Sequence, residues 1–201
     1  MEQDTMRTAR ARYFAENGFG DDGGYGSPWV DFKLGSIPFP FPNTKARVRA
    51  VRFHDLHHIL TGYRTDFRGE LEISAWEIGA GCRDMIAAWQ LNLGGLWAGA
   101  MLMPRRTFRA FVRGRRTTSL YDKDLDALLD GTVAEARRLC AFPEVEEHRP
   151  TALDHALFAL AVLVGWIVGT LTFALVLLVV PPYFLWWLGF GPTKAGAAST
   201  K

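Results

Sequence analysis

Apolar positions recur at helical spacing through the middle of the chain. Val48, Val51, Leu56, Ile59 and Leu60 form one such set, the pattern of an amphipathic helix with one face toward a core. Thr44 or Asn43 is placed to cap its start, and Gly62 to end it. After the short connection 63–65, Asp66 is the expected N-cap of a second helix from Phe67, carrying Leu71, Ile73, Trp76 and Ile78 up to Gly79 and Gly81. Residues 85–103 contain no charge. That length reaches the threshold for a membrane span, but Gln90, Asn92 and three glycines interrupt it. Basic residues flank it on both sides, so it is read as a buried or interfacial helix whose small residues leave room for a lipid chain. Residues 121–140 read as one acidic amphipathic helix, with Asp122 as cap and Arg137 and Arg138 near its C-terminal end. Pro143 and Pro150 frame a linker.

The strongest pattern lies near the C-terminus. Residues 156–180 are uncharged and overwhelmingly apolar. As a helix they would run roughly 37 Å at ~1.5 Å per residue, enough to cross a ~30 Å hydrocarbon core. Pro181 and Pro182 are expected to break this helix. Tyr183, Trp186 and Trp187 then supply an aromatic belt at a membrane interface. Gly165 and Gly169 form a GxxxG spacing, which would serve a homodimer.

Composition changes little in this picture. The 201 residues suit one compact domain with an appendage, and a net charge of +2 with no recognition motif argues against nucleic acid. The two cysteines, Cys82 and Cys140, make no disulfide framework. Residues 1–22 hold no apolar stretch that suits a signal peptide. Residues 1–45 are rich in glycine and proline, and read as an irregular arm. Their DDGGYG run lacks the lysine of a phosphate-binding P-loop. The organisation expected is therefore all-α: an arm at 1–45, a helical metal-binding domain at 46–145, a linker at 146–155, a transmembrane helix and aromatic segment at 156–190, and a tail at 191–201. Six of the residues 105–116 are arginine: Arg105, Arg106, Arg109, Arg113, Arg115 and Arg116. With Phe108, Phe111 and Val112 they read either as a solvated helix face or as an amphipathic segment lying on anionic lipid. Most arginines precede the span, which places the main domain in the cytoplasm, at a bacterial inner membrane.

Candidate chemistry concentrates in HDLHHILTGYRTDFRGE, residues 54–70. His54, His57 and His58 are three of the chain's five histidines. Residues four apart share a helix face, so His54 and His58 can bind one ion together. Asp55 borders that face. Glu70 lies on the next helix, and an antiparallel pair would bring it back to the histidines, completing a zinc set. His57 points away around the helix, as a supporting residue behind the ligands or as an ordinary exposed histidine. Only His148 and His155 lie elsewhere, too few for the several histidine boxes of a membrane di-iron enzyme. No histidine precedes His54, as the HD-type phosphohydrolases require, and Asp55 is short for the general base of a zinc protease.

The spacing His54-Asp55-x-x-His58, eleven residues, then Glu70 resembles the HDxxH-x11-E motif of the ubiquinone (coenzyme Q) biosynthesis family. LTGYRTDFRGE is similar to that family's glycine-threonine-glycine run, and residues 108–140 more softly to its later helices. The resemblance implies an all-helical domain with His54, Asp55, His58 and Glu70 as ligands to zinc or another divalent metal. It also implies a prenylated aromatic quinone precursor at the membrane, oxidative decarboxylation at the carboxyl-bearing ring carbon, and association with other quinone-biosynthesis proteins. The alternative is a non-catalytic protein that binds prenyl lipid and organises such enzymes. The glycine-rich arm and the C-terminal span depart from the family pattern.

Overall fold

The computed structural model describes residues 2–30, 33–34, 37–38, 41–143 and 149–190. Eight helices and four two-residue strands occur among them, so the fold is all-α. The arm is less irregular than its composition implies. Thr5 caps α1 (Met6–Asn17), and Gly18, in the left-handed region at φ 68°, closes it. Met6, Ala9 and Phe14 of α1 are buried. The glycines around this helix mask its short apolar set in the sequence. Beyond it, β1 (Trp29–Val30) pairs antiparallel with β4 (Phe41–Pro42), and β2 (Lys33–Leu34) with β3 (Ile37–Pro38).

Two expected caps are in place. The Thr44 hydroxyl accepts from the Arg47 N–H to start α2 (Lys45–Thr61), and Gly62 ends it at φ 75°. The Asp66 carboxylate accepts from the Gly69 N–H to start α3 (Phe67–Ala80). Between α3 and the next helix, the chain turns through Cys82 and Met85, both buried. Then α4 (Ile86–Leu102) and α5 (Pro104–Arg115) follow, the latter opening on a proline where no N–H partner is needed.

Residues 121–140 depart from expectation. They form α6 (Leu125–Asp130) and α7 (Val133–Leu139) rather than one helix. Asp124, not Asp122, caps α6, because its carboxylate reaches the Ala127 N–H. Thr132 and Glu135 then form a reciprocal capping box that starts a new helix after Gly131.

Helix α3 lies at the centre, against α4 on one side and α5 on the other. Trp76 from α3 packs with Leu56, Leu60, Leu96 and Tyr121 in the core, and Ile73 of the same helix is also fully buried. The crossing of α3 over α5 depends on two glycines. A Cβ on Gly79 would stand 2.3 Å from the Phe111 carbonyl oxygen, and one on Gly114 would stand 2.1 Å from that of Trp76. Both clashes are with backbone, which cannot swing aside. Gly114→Ala should therefore lower unfolding stability by about 1–3 kcal/mol, read by urea titration. An unchanged midpoint would contradict this crossing.

The last helix, α8, runs from Ala152 to Phe190. It starts inside the expected linker and continues through Pro181 and Pro182. Two prolines remove two amide donors and strain the preceding turn. A long apolar helix can absorb that as a kink, because its other bonds have no competing water partners. The segment 152–172, with mean hydropathy 1.9, is long and apolar enough to cross a membrane. Leu160, Leu163, Trp166 and Leu171 are exposed along it. The side chains of Tyr183, Trp186 and Trp187, the tail 191–201 and residues 146–148 of the linker, His148 included, lie outside the described residues.

The GxxxG pair is used within the chain. A Cβ on Gly165 would stand 2.5 Å from the Leu93 carbonyl oxygen, and one on Gly169 would touch the Trp97 ring. Helix α4 thus occupies the face that a second copy would have needed. Helix α4 has one buried side and one side exposing Ile86, Leu91, Met101 and Leu102.

Cys82 and Cys140 are fully buried and free. Burial pushes both thiols up, Cys140 to about 12. Since the thiolate is the reactive form, neither should react with an aromatic disulfide reagent at pH 8 until the chain is unfolded. Stoichiometric labelling of the folded protein would contradict that.

Candidate metal centre

Helices α2 and α3 bring His54, His58 and Glu70 together. One ligand atom from each lies within 4.8 Å of the others. The two Nε2 atoms stand 3.1 Å apart. Glu70 presents Oε2 to His54 Nε2 and Oε1 to His58 Nε2, each at 3.3 Å. The antiparallel return of α3 across the short 63–65 turn makes this meeting possible.

The far side of each imidazole is already engaged. His58 Nδ1 donates to the Tyr63 carbonyl at 2.9 Å. His54 Nδ1 donates to Glu77 Oε1 at 3.0 Å. Both rings therefore turn their Nε2 lone pairs inward, where a carboxylate also points. Three acceptors facing one another repel unless a positive charge lies between them. In the metal-free chain a proton on His54 serves: burial opposes its charge, but Glu77 and Glu70 outweigh this and raise its pKa well above the usual histidine value. The same contacts hold the Glu70 carboxyl down at about 2, against the cost of burial.

A divalent cation fits the same point. Zinc bonds of about 2.0–2.1 Å in a tetrahedron separate neighbouring ligand atoms by about 3.3–3.4 Å, close to the spacings here. Three protein ligands leave a fourth position open, the arrangement of catalytic rather than structural zinc.

Glu77 was not foreseen from the sequence. It is fully buried on α3 and accepts four hydrogen bonds. His54 and His57 donate to Oε1; the Tyr121 hydroxyl, at 2.8 Å, and the Asn92 amide donate to Oε2. Burial works against its charge, yet His54 and His57 hold it well below the usual carboxylate range. The signal lay in the α3 run AWEIGA, where Glu77 stands among apolar neighbours, seven residues after Glu70 and on its face.

His57 is buried, not exposed. Its Nδ1 stands 2.6 Å from Glu77, and its Nε2 accepts the Leu120 N–H at 2.9 Å. An accepting Nε2 places the proton on Nδ1, and burial lowers its pKa, so this ring is neutral. It buttresses the ligands as the partner of Glu77.

Asp55 stands apart from the converging group. One residue along a helix turns about 100°, and its carboxylate meets the Tyr25 hydroxyl, a short contact, and that of Tyr13 at 3.5 Å. Both tyrosines come from the N-terminal arm, and the Tyr13 ring stacks on His58. The arm thus covers the centre. Asp55 still lines the same cavity of about 540 Å³ as His54, His58 and Glu70, where Ala88 and Leu91 of α4 supply an apolar wall.

The six arginines divide. Arg105 and Arg109 are exposed. Arg106 forms a two-point ion pair with Glu72. Arg113 donates to the Thr61 carbonyl and stacks on Tyr63. Arg115 and Arg116 both bind the buried Asp154 of α8, at 2.7 and 2.8 Å. Half of the proposed membrane face therefore works inside the fold, because α8 begins early enough to place Asp154 beside the end of α5.

Comparison of the chain with models of protein families, with curated proteins and with solved structures finds no match.

Proposed function

We propose that this chain is a membrane-anchored zinc protein of ubiquinone biosynthesis that acts on a prenylated aromatic ring at its carboxyl-bearing carbon. The observation that carries the reading is the meeting of two imidazole nitrogens and a carboxylate at tetrahedral spacing, with the outer nitrogen of each ring already committed. The motif spacing supports the family, and the cavity beside α4 supports an apolar substrate. The proposed setting is a bacterial inner membrane with the helical domain on the cytoplasmic side.

Each residue then has a task. His54, His58 and Glu70 hold the metal, and Glu77 fixes the tautomer and tilt of His54, the usual support of a metal-bound histidine. When bound, the metal supplies a Lewis acid that stabilises negative charge developing on a ring oxygen as carbon dioxide leaves. Tyr13 and Tyr25 hold Asp55 at the cavity wall and close the arm over the site. Ala88 and Leu91 offer the prenyl chain a surface continuous with the exposed apolar side of α4.

That exposed side also favours a second reading, a non-catalytic protein that presents prenylated intermediates to partner enzymes. Zinc-loaded chain incubated in air with a prenylated hydroxybenzoate separates the two. Carbon dioxide release that follows metal content supports the enzyme. Saturable binding without release supports the presenting protein. Neither binding nor release would sink both.

A further inference from the structure

We propose that the arginine groove beside the start of α8 binds the phosphate headgroup of an anionic phospholipid. The groove, of about 580 Å³, is lined by Arg106, Arg109 and Arg113 of α5 and by Arg116 just after it, together with Glu72 and Pro150. It is distinct from the metal cavity. Four guanidinium groups face it against one carboxylate. Counting the neighbouring Arg115 and its partner Asp154 leaves the cluster three positive charges in excess. Three of the four arginines are fixed in place: Arg106 by Glu72, Arg113 by the Thr61 carbonyl and Tyr63, and Arg116 by Asp154. The Nε of Arg116 is buried and makes no hydrogen bond. Planar guanidinium donors held in a groove match the oxygens of a phosphate.

Position selects a lipid as the source of that phosphate. Pro150 stands two residues before α8, and exposed apolar side chains begin at Leu153. If a helix enters a bilayer there, its first turn lies in the headgroup layer, about 5–7 Å deep on each side of the hydrocarbon. The Asp154 clamp ties α5 to that turn, so the groove stands at headgroup depth. The inference rests on α8 entering a membrane and is independent of the metal centre. Alkaline carbonate extraction of membranes reports the α8 reading separately, by whether the chain stays in the pellet.

The test is native mass spectrometry of the full chain in mild detergent, titrated with phosphatidylglycerol or phosphatidylcholine. One saturable phosphatidylglycerol adduct is expected, favoured over phosphatidylcholine. Each arginine near an anionic lipid contributes about fivefold in affinity, so Arg109→Gln should weaken it about fivefold and Arg106→Gln with Arg109→Gln about 25-fold. Arg105→Gln, exposed on the same helix but outside the groove, should leave it unchanged. Unchanged helical content keeps the comparison valid. Equal binding of the two lipids would overturn the proposal, as would an equal loss in Arg105→Gln, which would mean diffuse charge. Displacement of the lipid by millimolar glycerol 3-phosphate would overturn the lipid assignment in favour of a soluble phosphate ester.

Discussion

Replacing His58 with alanine is expected to strip the metal from the chain. His58 supplies one of three converging ligand atoms, and its ring is buried against Tyr13. Loss of a merely supporting group already costs a metal site roughly 10–100-fold in affinity. Loss of a ligand should exceed about 100-fold, enough to leave the purified variant essentially metal-free. The Tyr63 carbonyl also loses its donor, at about 1–3 kcal/mol of stability where it stays dry. His155→Ala is the matched control: that histidine is exposed on α8, far along the chain from the site, and its variant should keep its metal. Elemental analysis of the two purified proteins reads the difference. Equal metal in both would remove His58 from the centre.

The second large effect belongs to Glu77. Truncation to alanine leaves four donors, on His54, His57, Asn92 and Tyr121, without their shared acceptor inside the core. Removing one partner of a buried charged network costs about 3–5 kcal/mol. Glu77→Ala should therefore lower the melting temperature by on the order of 10 °C. Glu77→Gln is the finer probe. It keeps the shape but turns an amide donor toward donors and removes the charge that holds His54. Metal affinity should fall roughly 10–100-fold with a smaller loss of stability. A glutamine variant with full metal affinity and an unchanged melting temperature would show that Glu77 merely fills space.

The helical pattern and two of its caps were readable from the sequence because they are local. Thr44 and Asp66 each stand beside the helix they start, and the side chain needs to reach only three residues ahead. The pairing of His54 with His58 was equally local, four residues on one helix. Glu70 required one inference more, that the chain folds back on itself after Gly62. What sequence could not show was everything that arrives from a distance. Tyr121 reaches Glu77 across 44 positions, and Tyr25 reaches Asp55 across 30. The arm looked structureless because its glycines dominate its composition, although Met6, Ala9 and Phe14 are placed to bury one side of a short helix. Asp154 was read as linker for the opposite reason. A single acid ahead of an apolar run looks solvated, and only the packed fold shows two arginines turned toward it. Sequence left His57 open between a supporting residue and an exposed histidine, because helix angle alone cannot say how many neighbours surround a helix.

X-ray absorption of the zinc-loaded full chain tests the central claim most directly. With His54, His58 and Glu70 as ligands, the spectrum should show only nitrogen and oxygen neighbours at about 2.0–2.2 Å, with the multiple-scattering signature of two imidazoles and no sulfur. A single imidazole, or none, would contradict the account.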